Sequence, residues 1–202
     1  MADSKRSESY ELRRREVAKK LNDTSGSTLI VTGLGSTNWD FTAAGDGPHI
    51  FPLWGAMGAA AAMGLGLALA QPEKRVLVAT GDGEMLMGLG SLATIAVKAP
   101  QNLVVCVFDN ERYGETGMQA THTASVADMA LTAKGLGIPH VETIASEAEL
   151  EAALPAIRSG PGPRFYDIKV RAEPLDFITP AKDGAYLKDR FRLALLGEAG
   201  VE

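Results

Sequence analysis

Hydrophobic positions along the chain fall into short runs of two kinds, and their alternation predicts the elements. Residues 8–22 set Leu12, Val17 and Leu21 among charged neighbours, a pattern that predicts an amphipathic opening helix. Leu29-Ile30-Val31-Thr32 reads as a short buried strand ending at Gly33-Leu34-Gly35, and Gly45-Asp46-Gly47-Pro48 as a turn. From Ala56 to Leu69 small residues recur at helical spacing, with Gly58, Ala62, Gly66 and Ala70 four apart. That spacing predicts a helix whose backbone another element approaches closely. Gln71-Pro72-Glu73 ends it. Arg75 to Thr80 is a second strand, closed by Gly81-Asp82-Gly83; a helix from Met85 to Val97, stopped by Pro100, and a third strand from Leu103 to Asp109 follow.

Beyond the third strand, Asn110 to Thr123 is polar and punctuated by glycine, as functional loops are. Val126 to Leu136 returns to helical spacing, and Ile138 to Ile144 forms a short strand. Ser146 opens a helix with Glu149 three residues on, and Arg164 to Val170 is the next strand. From about residue 171 a mixed, proline-containing tail runs on, with Tyr186 to Leu196 helical. Alternating strands and helices predict an α/β fold with a mostly parallel central sheet and helices on both faces, in which ligands sit at the carboxyl ends of strands. A length of 202 residues suits a single domain, residues 1–202, with a short N-terminal helix and the C-terminal tail as its appendages.

Composition narrows the function classes. An apolar share of 46% and a charged share of 22% exclude a disordered or fibrous chain. The net charge of -5 offers no basic face for a phosphate backbone, so small molecules rather than nucleic acid are the expected ligands. The apolar stretch from Gly55 to Ala70 is shorter than the roughly 20 residues of a membrane span, and a packed internal helix is expected there. The single cysteine, Cys106, lies in an apolar run and reads as a buried, inert thiol. With a polar start at Met1 to Arg6 that lacks a signal-peptide core, this points to a reducing cytoplasm.

The chemistry gathers at two strand ends. Gly81-Asp82-Gly83 follows one strand and Asp109-Asn110 the next, separated by enough chain for one helix and one strand, so both polar ends meet at neighbouring strand termini. A hard divalent ion takes oxygen ligands, and Mg²⁺ suits a carboxylate, neutral carbonyl oxygens, water and phosphate. Asp82 offers the carboxylate and Asn110 the side-chain carbonyl. Gly81 and Gly83 let backbone N–H groups approach a diphosphate, at the start of the helix that follows. Glu73 and Glu84 read as solvated surface or loop acids, and His49 and His140, isolated in sequence, are not expected to be ligands.

With this spacing the chain resembles the thiamine diphosphate enzymes, whose signature is Gly-Asp-Gly, a run of this length, and a pair ending in asparagine. The chain departs from it in Asp109, where an asparagine is commoner. The resemblance covers about residues 28–170 and implies the pyrophosphate-binding domain of that fold. It implies Mg²⁺ ligation by Asp82, Asn110 and the backbone carbonyl of Arg112, and a diphosphate held by backbone groups near Gly83, Glu84 and Met85, with Tyr113 and Gly114 beside it. Gly55-Ala56-Met57-Gly58 resembles the segment that grips the aminopyrimidine, Gly55 through its carbonyl and Met57 as a wedge.

The family's activating glutamate comes from a pyrimidine-binding domain for which the chain has no room. The resemblance therefore implies a separate α-type subunit, in a hetero-oligomer with at least two copies of each chain. The run from Tyr113 to Thr123 most resembles sulfopyruvate decarboxylase β subunits and phosphonopyruvate decarboxylases, which implies decarboxylation of a small acidic 2-oxo acid to CO₂ and an aldehyde. Glu115 stands where a serine is common and would repel a dianionic substrate unless paired or protonated; either it points away, for instance toward Arg112, or the substrate carries less charge. His122 is a candidate proton donor or substrate ligand, with Thr121 and Thr123 behind it. A carboligase or 2-oxo acid oxidoreductase subunit, and a non-catalytic nucleotide-binding module, are the alternatives.

Overall fold

The computed structural model describes residues 5–22 and 27–200. After a 3-10 turn at Arg6–Ser9, the elements run α1 (Arg14–Leu21), β1 (Thr28–Thr32), α2 (Ser36–Gly45), β2 (Ile50–Pro52), α3 (Ala60–Ala70), β3 (Arg75–Gly81), α4 (Asp82–Met87) and α5 (Gly90–Lys98). They continue with β4 (Leu103–Asp109), β5 (Arg112–Tyr113), β6 (Gln119–Ala120), α6 (Met129–Gly135), β7 (His140–Ile144), α7 (Glu147–Ser159), β8 (Arg164–Lys169) and α8 (Gly184–Leu196). Six strands pair in parallel in the order β2-β1-β3-β4-β8-β7, and β5 with β6 makes a separate antiparallel ribbon.

The central strands are buried on both faces, and successive residues divide between two cores, as the period of two requires. Leu77, Ala79, Val104 and Cys106 pack on one side with Val17, Phe41, Leu150 and Ile157 from α1, α2 and α7. Val76, Val78, Val105 and Val107 pack on the other with Ala61, Ile95, Met129 and Phe191 from α3, α5, α6 and α8. Cys106 is fully buried, and that burial pushes its thiol up to about 12, so it is inert as expected. Caps set several helix ends. Ser146 and Glu149 form a reciprocal capping box on α7, and Asp183 accepts from two N–H groups of α8.

Four sequence expectations change. The opening helix is shorter than residues 8–22, because Leu12 bridges Val170 of the sheet before α1 begins. α2 and β2 carry no clear period and escaped the pattern; α2 is a helix buried through Trp39, Asp40 and Phe41. The expected helix from Met85 to Val97 is two helices, broken at Gly88, where a Cβ would stand 2.0 Å from the Gly58 carbonyl oxygen. Lastly, of the small residues spaced by four only Gly58, which precedes α3, meets a neighbouring backbone, at Gly88; those within the helix do not make the contact. α3 packs through Ala61, Gly64, Leu65 and Ala68, with Gly64 against Val78, while Ala62, Gly66 and Ala70 are exposed.

Candidate functional site

Strand order reverses about β1: the chain leaves β1 outward to α2 and β2, then crosses back through α3 to β3. Open parallel sheets bind ligands in the crevice that such a reversal leaves at the carboxyl ends of the strands. A cleft opens there, lined by Leu34 to Thr37 after β1, Gly81 to Glu84 after β3, and Asn110 with Arg112 to Thr116 after β4. Met57 and Arg14 also border it. Gly81 faces open space, and Gly83 lies flat under the Tyr113 ring, where a Cβ would come within 2.3 Å of a ring carbon. Gly81 thus leaves its backbone open to a ligand, whereas Gly83 is buried beneath Tyr113.

Asp82 stands in the first turn of α4 and is almost wholly buried. Thr121 and Thr123 donate hydroxyls to its Oδ2, the latter at 2.9 Å. Burial first, and the nearby Asp109 carboxylate second, push the Asp82 carboxyl up to about 7. Among the described residues no cationic side chain pairs with it, so this is a desolvated carboxylate with room for a cation. Asn110 Oδ1 accepts from the Arg112 N–H at 2.9 Å, an Asx turn that fixes the amide at the cleft. No group of three or more His, Cys, Asp or Glu side chains is placed to hold a metal among the described residues. An ion here would draw on Asp82 and neutral oxygens, the donor set that suits Mg²⁺.

Behind this wall lies a charge network that the sequence reading missed. Lys169 Nζ donates to Asp109 Oδ2 at 2.6 Å and lies 2.8 Å from Asp167 Oδ2. Asp109 and Lys169 are direct partners in the β4–β8 register. Asp109 Oδ1 accepts from the Glu111 N–H at 3.0 Å and lies 2.8 Å from Thr123 Oγ1, whose single hydroxyl proton it shares with Asp82 Oδ2. The departure at Asp109 thus has a local cause: a carboxylate there is compensated by the lysine opposite. The overlooked signal was two charged residues, Asp167 and Lys169, two apart in an otherwise buried strand.

Of the sequence candidates, Met57, Gly81, Asp82, Gly83, Glu84, Asn110, Arg112, Tyr113 and Gly114 line the cleft. Met85 lies beneath it in the core, Gly55 is exposed with a left-handed backbone (φ 68°), and His122 is exposed outside the lining. Glu84 is not a solvated acid. It is buried, accepts from Thr80 Oγ1 at 2.7 Å, and is pushed up to about 7 by burial, against the opposing effect of Thr80 and of the backbone N–H groups of Ala60, Gly58 and Leu34. It therefore joins the ends of β1 and β3 to the start of α3. Glu115 lies against Gly35 at the cleft and makes no ion pair with Arg112; the Arg112 guanidinium donates instead to the Glu111 carbonyl at 2.9 Å. Buried His49 approaches Asn22 Oδ1 at 3.2 Å, and His140 is exposed.

Residues 35–168 match the family described as thiamine pyrophosphate enzyme, C-terminal TPP binding domain. The chain is 34% identical over 180 residues to the sulfopyruvate decarboxylase subunit beta of Methanothermobacter thermautotrophicus, covering 89% of this chain and 94% of that one. It is 37% identical over 164 residues to the phosphonopyruvate decarboxylase of Streptomyces viridochromogenes, covering 81% of this chain but 41% of the longer relative. In structure it resembles a chain described as a thiamin diphosphate-dependent enzyme of Mycobacterium smegmatis, with a TM-score of 0.68 at 22% identity over 80% of this chain and 32% of that one. No helix among the described residues is long and apolar enough to cross a membrane.

Proposed function

Because this chain belongs to the thiamine pyrophosphate enzymes through their C-terminal TPP binding domain, we propose that it is the cofactor-holding, β-type subunit of a decarboxylase of a small acidic 2-oxo acid. Its substrate is of the sulfopyruvate or phosphonopyruvate kind, and its products are CO₂ and an aldehyde. The names of its relatives support this reading. The single observation that carries it is Asp82: a buried carboxylate without a cationic partner among the described residues, at the switch point of a parallel sheet, with Asn110 on the next strand end of the same cleft. That donor set fits Mg²⁺, and the open backbone at Gly81 fits a diphosphate.

In this reading Mg²⁺ is held by Asp82, the Asn110 side-chain oxygen and the Arg112 carbonyl, and the diphosphate by backbone groups near Gly83, Glu84 and Met85. Gly55 and Met57 meet the aminopyrimidine. When bound, thiamine diphosphate supplies a nucleophilic ring carbon and an electron sink for the decarboxylation. The chain's own groups position and desolvate: Thr121 and Thr123 orient the Asp82 carboxylate, and the Tyr113 ring covers Gly83. The activating glutamate comes from an α-type partner, with at least two copies of each chain in the assembly. His122, exposed here, acts in proton transfer only if the partner closes over it.

Calorimetry on the full chain tests the site. Thiamine diphosphate should bind in a Mg²⁺-dependent manner, ahead of ATP or NAD, and Asp82→Ala and Asn110→Ala should each abolish that binding while the far-ultraviolet circular dichroism is retained. Wild-type affinity in either variant would refute the assignment, and a preference for ATP or NAD would favour a nucleotide-binding module.

A further inference from the structure

Glu111 stands between Asn110 and Arg112 with a left-handed backbone (φ 60°) and no exposed side-chain surface. Such a backbone is uncommon for a residue other than glycine and persists only where the surroundings hold it. The groups that hold it come from the far end of the chain. Tyr10 Oη donates to Glu111 Oε1 at 2.6 Å, Arg6 Nε donates to the same oxygen at 3.0 Å, and the Arg6 guanidinium ion-pairs with it as well. Arg6 Nη2 also donates to the Thr123 carbonyl at 3.2 Å, and the Thr121 N–H donates to the Glu111 carbonyl at 3.0 Å. The Glu111 carboxylate thus ties Arg6 and Tyr10 to the turn bearing Asn110, while the Glu111 main-chain carbonyl and the Arg6 guanidinium reach Thr121 and Thr123, the threonines that bond Asp82.

The segment that supplies these groups is itself anchored. The Ala172 N–H donates to the Ser7 carbonyl at 2.9 Å, and Arg171 Nε to the Tyr10 carbonyl at 2.8 Å. It lies outside residues 35–168, the part that matches the family. A separate ion pair, Arg13 with Glu173, secures the neighbouring chain without touching Glu111.

We infer that Arg6 and Tyr10 are positioning residues for the divalent-cation site, acting through Glu111 to fix the Asn110–Arg112 turn before the ion arrives. A turn held in place spends less of the binding free energy on ordering itself, so metal affinity should depend on contacts the metal never makes. The inference rests on the proposed reading of Asn110 and Arg112 as ion ligands.

Mn²⁺ titration of the full chain at a fixed excess of thiamine diphosphate, read against the same titration without protein and followed by the electron paramagnetic resonance of free Mn²⁺, tests it. Arg6→Gln with Tyr10→Phe, which removes the Arg6 ion pair and the Tyr10 hydroxyl together, should weaken Mn²⁺ binding by at least about tenfold. Tyr10→Phe alone, which removes one hydroxyl and decides the matter should the double variant fail to fold, should weaken it by about threefold, a part of the worth of one hydrogen bond to a charged group, in a chain that is still fully folded at the assay temperature. Arg13→Ala should bind Mn²⁺ as the wild type does. Undiminished binding in the Tyr10 and Arg6 variants, or an equal loss in Arg13→Ala, would overturn the inference alone. A wild type that takes up no Mn²⁺ would overturn the proposed function and this inference with it.

Discussion

Lys169→Met removes the ammonium that sits 2.6 Å from Asp109 and 2.8 Å from Asp167. Both carboxylates are buried, with side-chain exposures of 0% and 2%, and Lys169 itself is 18% exposed. Methionine fills similar volume, so the main effect is electrostatic: two desolvated carboxylates lose their counter-charge. Removing one partner of a buried ion pair typically costs about 3–5 kcal/mol. For a chain of this length that corresponds to a melting midpoint lower by roughly 6–20 °C. The loss should depend on pH with a definite sign. Burial first, and the neighbouring Asp109 second, already push Asp167 up to about 7, against the lowering effect of Lys169. Without the ammonium Asp167 holds its proton still more tightly in the folded chain than in the unfolded one, so stability falls as pH rises above the ordinary carboxylate range. Urea denaturation at pH 8 and pH 5.5 is the assay, with the larger deficit expected at pH 8. Adding Asp109→Asn and Asp167→Asn to Lys169→Met should restore most of it, because neutral isosteres need no counter-charge. A variant within about 1 kcal/mol of wild type at pH 8 would show that the network does not bear on folding as argued.

Glu84 provides a second pH test. Its carboxyl is pushed up to about 7 from an ordinary 4.5, mainly by burial, so the folded chain binds more protons than the unfolded one between those values. Whatever constant offset the amide brings, metal-free wild type should lose stability relative to Glu84→Gln as pH rises from about 4.5 to about 7, by on the order of 3 kcal/mol; parallel profiles would contradict the buried carboxyl. Two glycines of α3 should respond oppositely in the isolated chain. A Cβ at Gly64 would stand 2.1 Å from Val78 Cγ2, so Gly64→Ala should cost about 1–3 kcal/mol, whereas Gly66 faces open space and Gly66→Ala should stabilise by about 0.5–1 kcal/mol. Denaturant midpoints of the two variants check the pair, and equal effects would mean that the packed face of α3 has been misassigned.

Local chemistry made much of this molecule legible from its residues in order. β-branched runs announced β1, β3 and β4 because fully buried parallel strands need them on both faces, and Ser146 with Glu149 announced α7 because a capping box is satisfied within four residues. Gly81-Asp82-Gly83 and Asp109-Asn110 could be placed together because a parallel sheet puts successive strand ends on one side. What stayed hidden depends on residues distant in sequence. α2 has no amphipathic period because its burial comes from neighbours on both sides, and the packed face of α3 is set by where Val78 meets Gly64. Glu84 reads as a loop acid until the ends of β1 and β3 and the start of α3 close around it. The pairing of Asp109 with Lys169 requires the β4–β8 register, and the hold of Arg6 and Tyr10 on Glu111 requires the first residues of the chain to dock more than a hundred positions away. Sequence determines which groups are available at each strand end; burial and register, which exist only in the folded chain, decide which of them are charged, paired and held in place.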